Sequence, residues 1–171
     1  MLSKTIHERF CDQMNFEMFS ANIYLSMASY FDAMNLKGFA NWMKVQYQEE
    51  MMHATKFYDF ITTRGVQAKV GAMPAPQTQW KNPLAAFENA LEHEGKVTAR
   101  INDLVALAAS EKDNASVNFL QFFVGEQVEE ESNAEGVIQQ LKLAEGAPGA
   151  ILLLDREMAT RVFTPPAQGA P

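Results

Sequence analysis

The spacing of hydrophobic residues predicts long α-helices over most of the chain. Apolar positions recur at intervals of three and four residues, the period that places side chains on one face of a helix, rather than at the strand period of two. Glycine and proline are concentrated in a few places between these periodic segments. We therefore predict an all-α fold.

Capping and breaker residues divide the pattern into five helices. The first is predicted from an N-cap at Ser3 to about Ala33, the second from the turn at 35–38 to about Arg64, the third from Asn82-Pro83 to about Ser110, the fourth from about Asn114 to about Glu145, and a short fifth from Pro148. The segment 65–82 between the second and third helices is rich in glycine and proline and has little apolar period. It is predicted to be a long connection.

The length of this connection determines the arrangement of the helices. A helix of about 28 residues is about 42 Å long, and about 18 extended residues can span that distance. The first two helices form an antiparallel hairpin, and the second and third can run parallel, which predicts a four-helix bundle with one long crossover. We expect residues 1–162 to form this domain and residues 163–171 to be a disordered tail.

Composition and charge restrict the classes of function. The 171 residues include 14 Lys+Arg and 21 Asp+Glu, so the formal charge is −7, which disfavours a nucleic-acid partner. No segment is apolar enough to span a bilayer, and the first residues lack the apolar core of a signal peptide. The one cysteine, Cys11, can form neither an internal disulfide nor a CxxC pair and is expected to be a single buried or half-exposed thiol. We therefore expect a cytoplasmic protein with no membrane partner.

Each of the four long helices carries a carboxylate inside its apolar stripe, near its middle. Polar residues on the predicted core faces include Glu17, Glu50, His53, Glu94, Gln127 and Glu130. Four buried carboxylates would repel one another, and each would lose its hydration at a cost of several kcal/mol, so the pattern predicts bound cations. Oxygen ligands with one imidazole suit iron, manganese or zinc better than copper, and bridging carboxylates would place two metals side by side.

Several features near this set are open to two interpretations. Tyr24, one heptad after Glu17, can hydrogen-bond a metal carboxylate or take part in redox chemistry, or it can simply pack in the core. Three acids beside the central set can form a more exposed third cation site or a solvated acidic face: Glu49, Glu126 and Glu129. The apolar run 151–154 can contact another subunit or pack on its own bundle. His7 and His93 lie off the stripes and are predicted to face solvent.

In these residues the chain resembles the non-haem bacterial ferritins, from about residue 1 to residue 162. The resemblance includes the helix lengths, the crossover and the short last helix. It implies that one iron is bound by Glu17, Glu50 and His53, that Glu50 bridges, and that a second iron is bound by Glu94 and Glu130. It further implies a glutamine beside the centre at Gln127 and a third iron site at Glu49, Glu126 and Glu129.

Such a resemblance implies a ferroxidase that oxidises Fe²⁺ with O₂ or peroxide. The Fe³⁺ is expected to enter an oxo-hydroxide mineral inside a hollow shell of 24 subunits. One position departs from the family pattern: Phe122 stands where these ferritins often carry tryptophan, so a radical-quenching role would fall to Tyr24 or be absent.

Two alternatives remain open at this point. A bacterioferritin-like protein would bind haem, and Met51 follows Glu50 as the haem ligand does in that family. However, the second Glu-x-x-His motif of bacterioferritins is replaced here by Gln127 and Glu130. The other alternative is a helical scaffold with incidental acids, which would take up no metal.

Overall fold

The computed structural model describes residues 2–145 and 147–165 of the chain. Within these residues it contains five α-helices: α1 (Lys4–Ala33), α2 (Lys37–Thr63), α3 (Pro83–Ser110), α4 (Asn114–Leu143) and α5 (Pro148–Met158). These bounds confirm the predicted all-α fold and its five helices. No helix in this part of the chain carries an apolar stretch of the length and hydropathy needed to cross a membrane.

Local capping groups and turns set the ends of the helices. The Ser3 hydroxyl accepts a hydrogen bond from a backbone N–H of the first turn of α1 at 3.1 Å, and the Asn82 side chain does the same for α3 at 2.8 Å. Asn35 and Lys112 have positive φ angles of 60° and 58°, which reverse the chain after α1 and after α3. The two helical hairpins therefore follow directly from signals in the sequence.

The N-terminus of α2 is capped by a residue of α5. One carboxylate oxygen of Asp155 accepts hydrogen bonds from the backbone N–H groups of Gly38 at 2.8 Å and Phe39 at 3.0 Å. The two helices approach so closely that a Cβ atom at Gly38 would lie 1.5 Å from the carbonyl oxygen of Asp155. A negative charge is favourable at this end of the helix dipole. Only glycine, which has no Cβ atom, allows the two helices to approach this closely.

The long crossover lies along α1 and is fixed to it by side chains. In order along α1 the contacts join His7 to Gln67, Asn15 to Lys69, Ser26 to Gln77, and the ring of Tyr30 to that of Trp80. This order shows that the crossover runs in the same direction as α1 and delivers α3 to the end of the bundle where α2 begins. The parallel arrangement of α2 and α3 is thus confirmed. Cys11 is a free thiol, and of the two expected environments, buried or half-exposed, it is buried.

The apolar core consists of two clusters separated by a polar layer. One cluster contains Phe31, Phe39 and Phe87, and the other contains Phe10, Phe57 and Phe123. Along each long helix the buried carboxylate falls between the buried positions that belong to the two clusters. The middle of the bundle is therefore the place where carboxylates replace the hydrocarbon interior.

The short helix α5 packs against α2 with one face only. Leu154 and Met158 are buried, whereas Leu152 and Leu153 are 57% and 67% exposed. Half of the apolar run 151–154 thus packs on its own bundle and half is open, so a contact of the open half with another subunit stays a prediction. Of the predicted tail, residues 163–165 are non-helical and residues 166–171 lie outside the described part of the chain.

Candidate metal centre

The six polar residues predicted on the core faces are all buried in the middle of the bundle. None is more than 5% exposed, and all four long helices contribute to the layer. The members are Glu17 on α1, Glu50 and His53 on α2, Glu94 on α3, and Gln127 and Glu130 on α4. Their predicted position in the core is confirmed, and their role as ligands stays a prediction.

Three of these residues form a group with the spacing of a metal site. Glu17, Glu50 and His53 each offer a ligand atom within 4.8 Å of the others, and Nδ1 of His53 lies 3.6 Å from an oxygen of Glu50. Among the described residues, one oxygen of Glu17, one oxygen of Glu50 and Nε2 of His53 have no hydrogen-bond partner. Buried polar atoms without partners are costly, and a cation would supply what they lack.

The other two carboxylates are held by hydrogen bonds from neighbouring helices. The hydroxyl of Tyr24 donates to one oxygen of Glu94, and the amide of Gln127 donates to the other at 3.1 Å. Gln46 of α2 donates to an oxygen of Glu130 at 2.7 Å. Tyr24 is therefore bonded to a carboxylate of the polar layer rather than merely packed against it.

Burial makes every carboxylate of the layer hard to ionise while no metal is bound. It raises the pKa values of Glu17, Glu50 and Glu130, and together with the charge of Glu130 it raises the pKa of Glu94 to about 7.

Neighbouring carboxylates also raise the pKa values of Tyr24 and His53. Burial and the charge of Glu94 raise the pKa of Tyr24, which therefore remains a donor. Burial alone would lower the pKa of His53, but the carboxylates of Glu126 and Glu50 raise it well above its usual value. The metal-free layer thus holds protons in positions that cations can take.

A chain of hydrogen bonds positions Glu17 from outside the layer. Nε of Arg100 donates to the amide oxygen of Gln13 at 2.7 Å, and the amide nitrogen of Gln13 donates to an oxygen of Glu17 at 2.8 Å. Because Arg100 can only donate, the amide orientation is fixed, and one oxygen of Glu17 is left for a cation. Asp12 holds Arg100 in turn, at 2.6 Å.

The sequence interpretation assigned no role to these supporting residues. A signal was present for two of them: Gln13 and Gln46 each lie in an apolar stripe, four residues before Glu17 and Glu50 respectively. For Arg100 the sequence carried no comparable signal, because its guanidinium reaches Gln13 from a different helix.

The predicted third site is only partly assembled. Glu49 and Glu126 are half-buried and Glu129 is exposed, and these three acids do not form a group within 4.8 Å in the described residues. An oxygen of Glu126 lies 3.6 Å from Nε2 of His53, so this acid borders the buried layer. Glu49 is paired with Arg161 at 2.7 Å. Burial raises the pKa of Glu49 to about 7, against the opposing effect of Arg161.

Phe122 lies beside His53 of the polar layer. Its ring centroid is 5.9 Å from that of His53, and the ammonium group of Lys56 lies 4.1 Å above the ring. A cation over the face of an aromatic ring withdraws electron density from it. This contact makes a ring that is already difficult to oxidise a still poorer source of electrons.

One prediction about the histidines is wrong: His93 does not face solvent. It is buried, its ring stacks on that of Phe16, and its Nε2 lies 2.7 Å from the hydroxyl of Ser20. The helical stripe described only the face toward the bundle core, whereas His93 is covered by side chains of α1. Burial and the charge of Lys96 lower the pKa of His93 to about 4, so the ring is neutral. His7 is half-buried, with Nε2 2.7 Å from the carbonyl oxygen of Gln67.

Buried carboxylates in the middle of a four-helix bundle with one long crossover are typical of ferritin-like proteins. Comparison with known proteins gives the same class. Residues 9–144 match the family model described as ferritin-like domain. The chain belongs to the ferritin family.

Its relatives and structural neighbours carry the same family name. The chain is 43% identical to the bacterial non-heme ferritin of Bacteroides fragilis over 161 residues. This alignment covers 94% of this chain and all of that relative. The bacterial non-heme ferritin of Staphylococcus haemolyticus is 41% identical, and the alignment covers 95% of this chain and 98% of that relative. An engineered closed form of the Archaeoglobus fulgidus ferritin is 50% identical, with a TM-score of 0.94 over 96% of this chain and all of that one. The open-pore ferritin of the same archaeon is 49% identical, with the same TM-score over 95% of this chain and all of that one.

Proposed function

We propose that this chain is a subunit of an iron-storing ferritin with ferroxidase activity. Two Fe²⁺ ions bind in the polar layer as substrate, O₂ or peroxide takes their electrons, and the Fe³⁺ passes to a ferric oxo-hydroxide mineral. The observation that carries this proposal is the group of three buried side chains, Glu17, Glu50 and His53, which offer ligand atoms within 4.8 Å of one another and each have a buried polar atom without a hydrogen-bond partner. A purely structural polar layer leaves no reason for such atoms.

The residues present fit two divalent cations in number, type and charge. Glu17 and His53 would bind one ion, Glu94 and Glu130 would bind the other, and Glu50 would bridge the two. Four carboxylates carry four negative charges, which two Fe²⁺ ions balance, so the loaded layer is neutral inside a low-dielectric core. Carboxylate oxygens with one imidazole are ligands typical of non-haem iron.

The neighbouring residues keep this set in place during turnover. Gln13 leaves Glu17 one oxygen for the ion, Tyr24 and Gln127 hold the two oxygens of Glu94, and Gln46 holds Glu130. Hydrogen bonds from such partners orient ligands and commonly change metal affinity 10–100-fold, in order of magnitude. Because the carboxyls are protonated in part before loading, we expect iron binding to release protons.

We further propose that the chain assembles with copies of itself into a hollow 24-subunit shell. Support comes from apolar surface at the end of the bundle that carries α5. A cavity of about 520 Å³ there is lined by residues that include Leu36, Leu84 and Ile151, and the neighbouring Leu152 and Leu153 are exposed. Apolar surface concentrated at one end is typical of a protein–protein contact.

The test is iron oxidation by the metal-free protein and by a Glu50→Gln variant. Fe²⁺ is added anaerobically, O₂ is admitted, ferric absorbance is followed, and particle size is measured by gel filtration. We expect fast oxidation that saturates near two irons per chain, followed by slower uptake in a very large particle. Glutamine has nearly the same shape as glutamate but carries no charge, so the variant should remain folded and lose the fast phase by at least about 100-fold.

The exposed Glu88, changed to Gln, serves as the matched control, because it removes one carboxylate from the bundle surface. Unchanged initial oxidation in Glu50→Gln would refute the assignment of the centre. Oxidation in a small particle would retain the centre but refute storage in a shell. No oxidation by the unaltered protein would favour the scaffold alternative. The haem alternative is tested by the absence or presence of a Soret band, and the name non-heme ferritin of the relatives favours its absence.

A further inference from the structure

A small cavity between α3 and α4 lies next to the polar layer. Its volume is about 160 Å³, which is room for a few molecules of the size of water. Among its lining residues, Val128 is 71% exposed, whereas Gln127 is buried. Because Gln127 also contacts Glu94, the cavity leads from the surface of the bundle to the edge of the layer.

Gln127 offers the cavity a free hydrogen-bond acceptor. Its amide nitrogen donates to Glu94 at 3.1 Å and to the hydroxyl oxygen of Thr98 at 3.4 Å. Its amide oxygen, Oε1, accepts no hydrogen bond from the described residues, and it is not among their fully buried atoms that lack a partner. The cavity is the open space that Gln127 lines, so Oε1 is available to a molecule inside it.

The other polar groups of the cavity are paired in a way that also leaves acceptors free. The Thr98 hydroxyl donates to one oxygen of Glu131 at 2.5 Å, so its proton is already used. The second oxygen of Glu131 remains an acceptor. Apart from the amide of the exposed Asn102, the free polar groups of the cavity therefore accept hydrogen bonds and do not donate them. A molecule that binds here must be a donor.

This requirement discriminates among the small molecules of the proposed reaction. O₂ has no proton to donate, so it gains nothing from these acceptors. A hydrated Fe²⁺ ion would lose water against the apolar side chains of Ile101 and Val124, and only one carboxylate is present to compensate. Hydrogen peroxide is uncharged, is close to water in size and donates two hydrogen bonds. The cavity therefore fits peroxide best.

We propose that this cavity binds hydrogen peroxide and delivers it to the iron pair, with Thr98 and Gln127 as the groups that position it. The inference rests on the proposed function, because it names the oxidant that reaches the same centre. In the reaction one peroxide takes one electron from each of two Fe²⁺ ions, and its O–O bond breaks. With two protons taken up from water it forms two water molecules, and both ions become Fe³⁺.

Thr98 allows the cavity to be altered without altering the metal ligands. Its hydroxyl holds Glu131 and accepts a hydrogen bond from Gln127. Valine has nearly the same shape as threonine but no hydroxyl, so Thr98→Val removes these links. The hydrogen bond from Gln127 to Glu94 does not involve Thr98 and is retained. Thr98→Ser keeps the hydroxyl and serves as the conservative variant.

The experiment compares two oxidants on the full-length assembled protein. Fe²⁺ is loaded anaerobically, and stopped-flow absorbance gives the second-order rate of oxidation with peroxide in the absence of O₂ or with O₂ in the presence of catalase. Val124→Phe fills the cavity from α4. Val117→Phe is its matched control, because Val117 is another half-buried valine of α4 that packs on the same apolar cluster. Zn²⁺ affinity and gel filtration check the centre and the particle.

We expect Thr98→Val to lower the peroxide rate by about 10-fold, the order of effect expected for a lost hydrogen bond at a binding site. Val124→Phe should lower it at least as much. Thr98→Ser and Val117→Phe should stay close to the unaltered protein. In all four variants the O₂ rate and the Zn²⁺ affinity should change less than about 2-fold. A merely structural defect would lower both oxidation rates together, so the ratio of the two rates is the decisive quantity.

The outcomes separate this inference from the proposed function. An unchanged peroxide rate in both Thr98→Val and Val124→Phe would overturn the peroxide site and leave the ferroxidase proposal standing. Peroxide and O₂ rates that fall by the same factor would also overturn it, because the cavity would then not select peroxide. If the unaltered protein binds no Zn²⁺ in the layer and oxidises Fe²⁺ with neither oxidant, the proposed function itself fails.

Discussion

Glu94 provides a quantitative test of the cost of the polar layer in the absence of metal. We expect the metal-free Glu94→Gln variant to be more stable than the unaltered protein at pH 8 and to lose this advantage at acidic pH. Burial raises the pKa of Glu94 from the usual 4.5 to about 7, so the ionised form is disfavoured in the folded state. The amide cannot ionise, and its oxygen can still accept the hydrogen bond from Tyr24.

The magnitude follows from the difference between the folded and unfolded pKa values. Each pKa unit corresponds to about 1.4 kcal/mol, so a rise from 4.5 to about 7 corresponds to about 3 kcal/mol. Between these pH values the folded protein binds the proton that the unfolded chain releases, so stability falls as pH rises. The full cost is present above about pH 7 and is absent well below pH 4.5.

The assay is urea unfolding of the metal-free protein from pH 5 to pH 8 at constant ionic strength. The free energy of unfolding of Glu94→Gln minus that of the unaltered protein should increase by about 2 to 3 kcal/mol over this range. Glu88→Gln, from the exposed face of the same helix, is the control and should give a constant difference. A difference for Glu94→Gln that changes by less than about 1 kcal/mol between pH 5 and pH 8 would refute the reasoning. With saturating Zn²⁺ at pH 8 the unaltered protein should be more stable than Glu94→Gln, because its polar layer binds the ion more tightly.

Two further substitutions test contacts away from the carboxylates. Arg100→Met should weaken Zn²⁺ binding by about 10-fold or more, because Gln13 loses the partner that fixes its amide toward Glu17; unchanged affinity in calorimetry would contradict this positioning role. Gly38→Ala should lower the free energy of unfolding by about 2 kcal/mol or more in thermal or urea denaturation, because the added Cβ meets the Asp155 carbonyl. An exposed helical glycine normally gives the opposite sign, so a stabilised variant would disprove the close approach.

Most of the fold was predictable because its signals are local. Ser3, Asn82 and Pro83 mark helix starts by groups that act within one turn, and the length of the segment 65–82 fixes the topology by distance alone. The burial of Glu17 and its counterparts followed from the helical period, which depends on no other part of the chain.

The residues that escaped prediction act across the fold. Arg161 reaches Glu49, which is 112 positions earlier in the chain, and Arg100 reaches Gln13 across 87 positions. His93 lies next to a core position, and only the side chains of α1 that cover it decide its burial. Helical periodicity identifies which face of a helix is apolar but contains no information about a second neighbour that covers another face.

The cap that Asp155 provides for α2 also has a consequence for the order of events during synthesis. The groups that complete the first turn of α2 are separated by 117 residues, so the ribosome releases the start of this helix long before its cap exists. Until α5 emerges, the first N–H groups of α2 must be satisfied by water. A nascent chain can therefore form its hairpins early, but the first turn of the helix that carries Glu50 and His53 is capped only after α5 has been made. A chain that ended before Pro148 would lack this cap, so the first turn of α2 would fray.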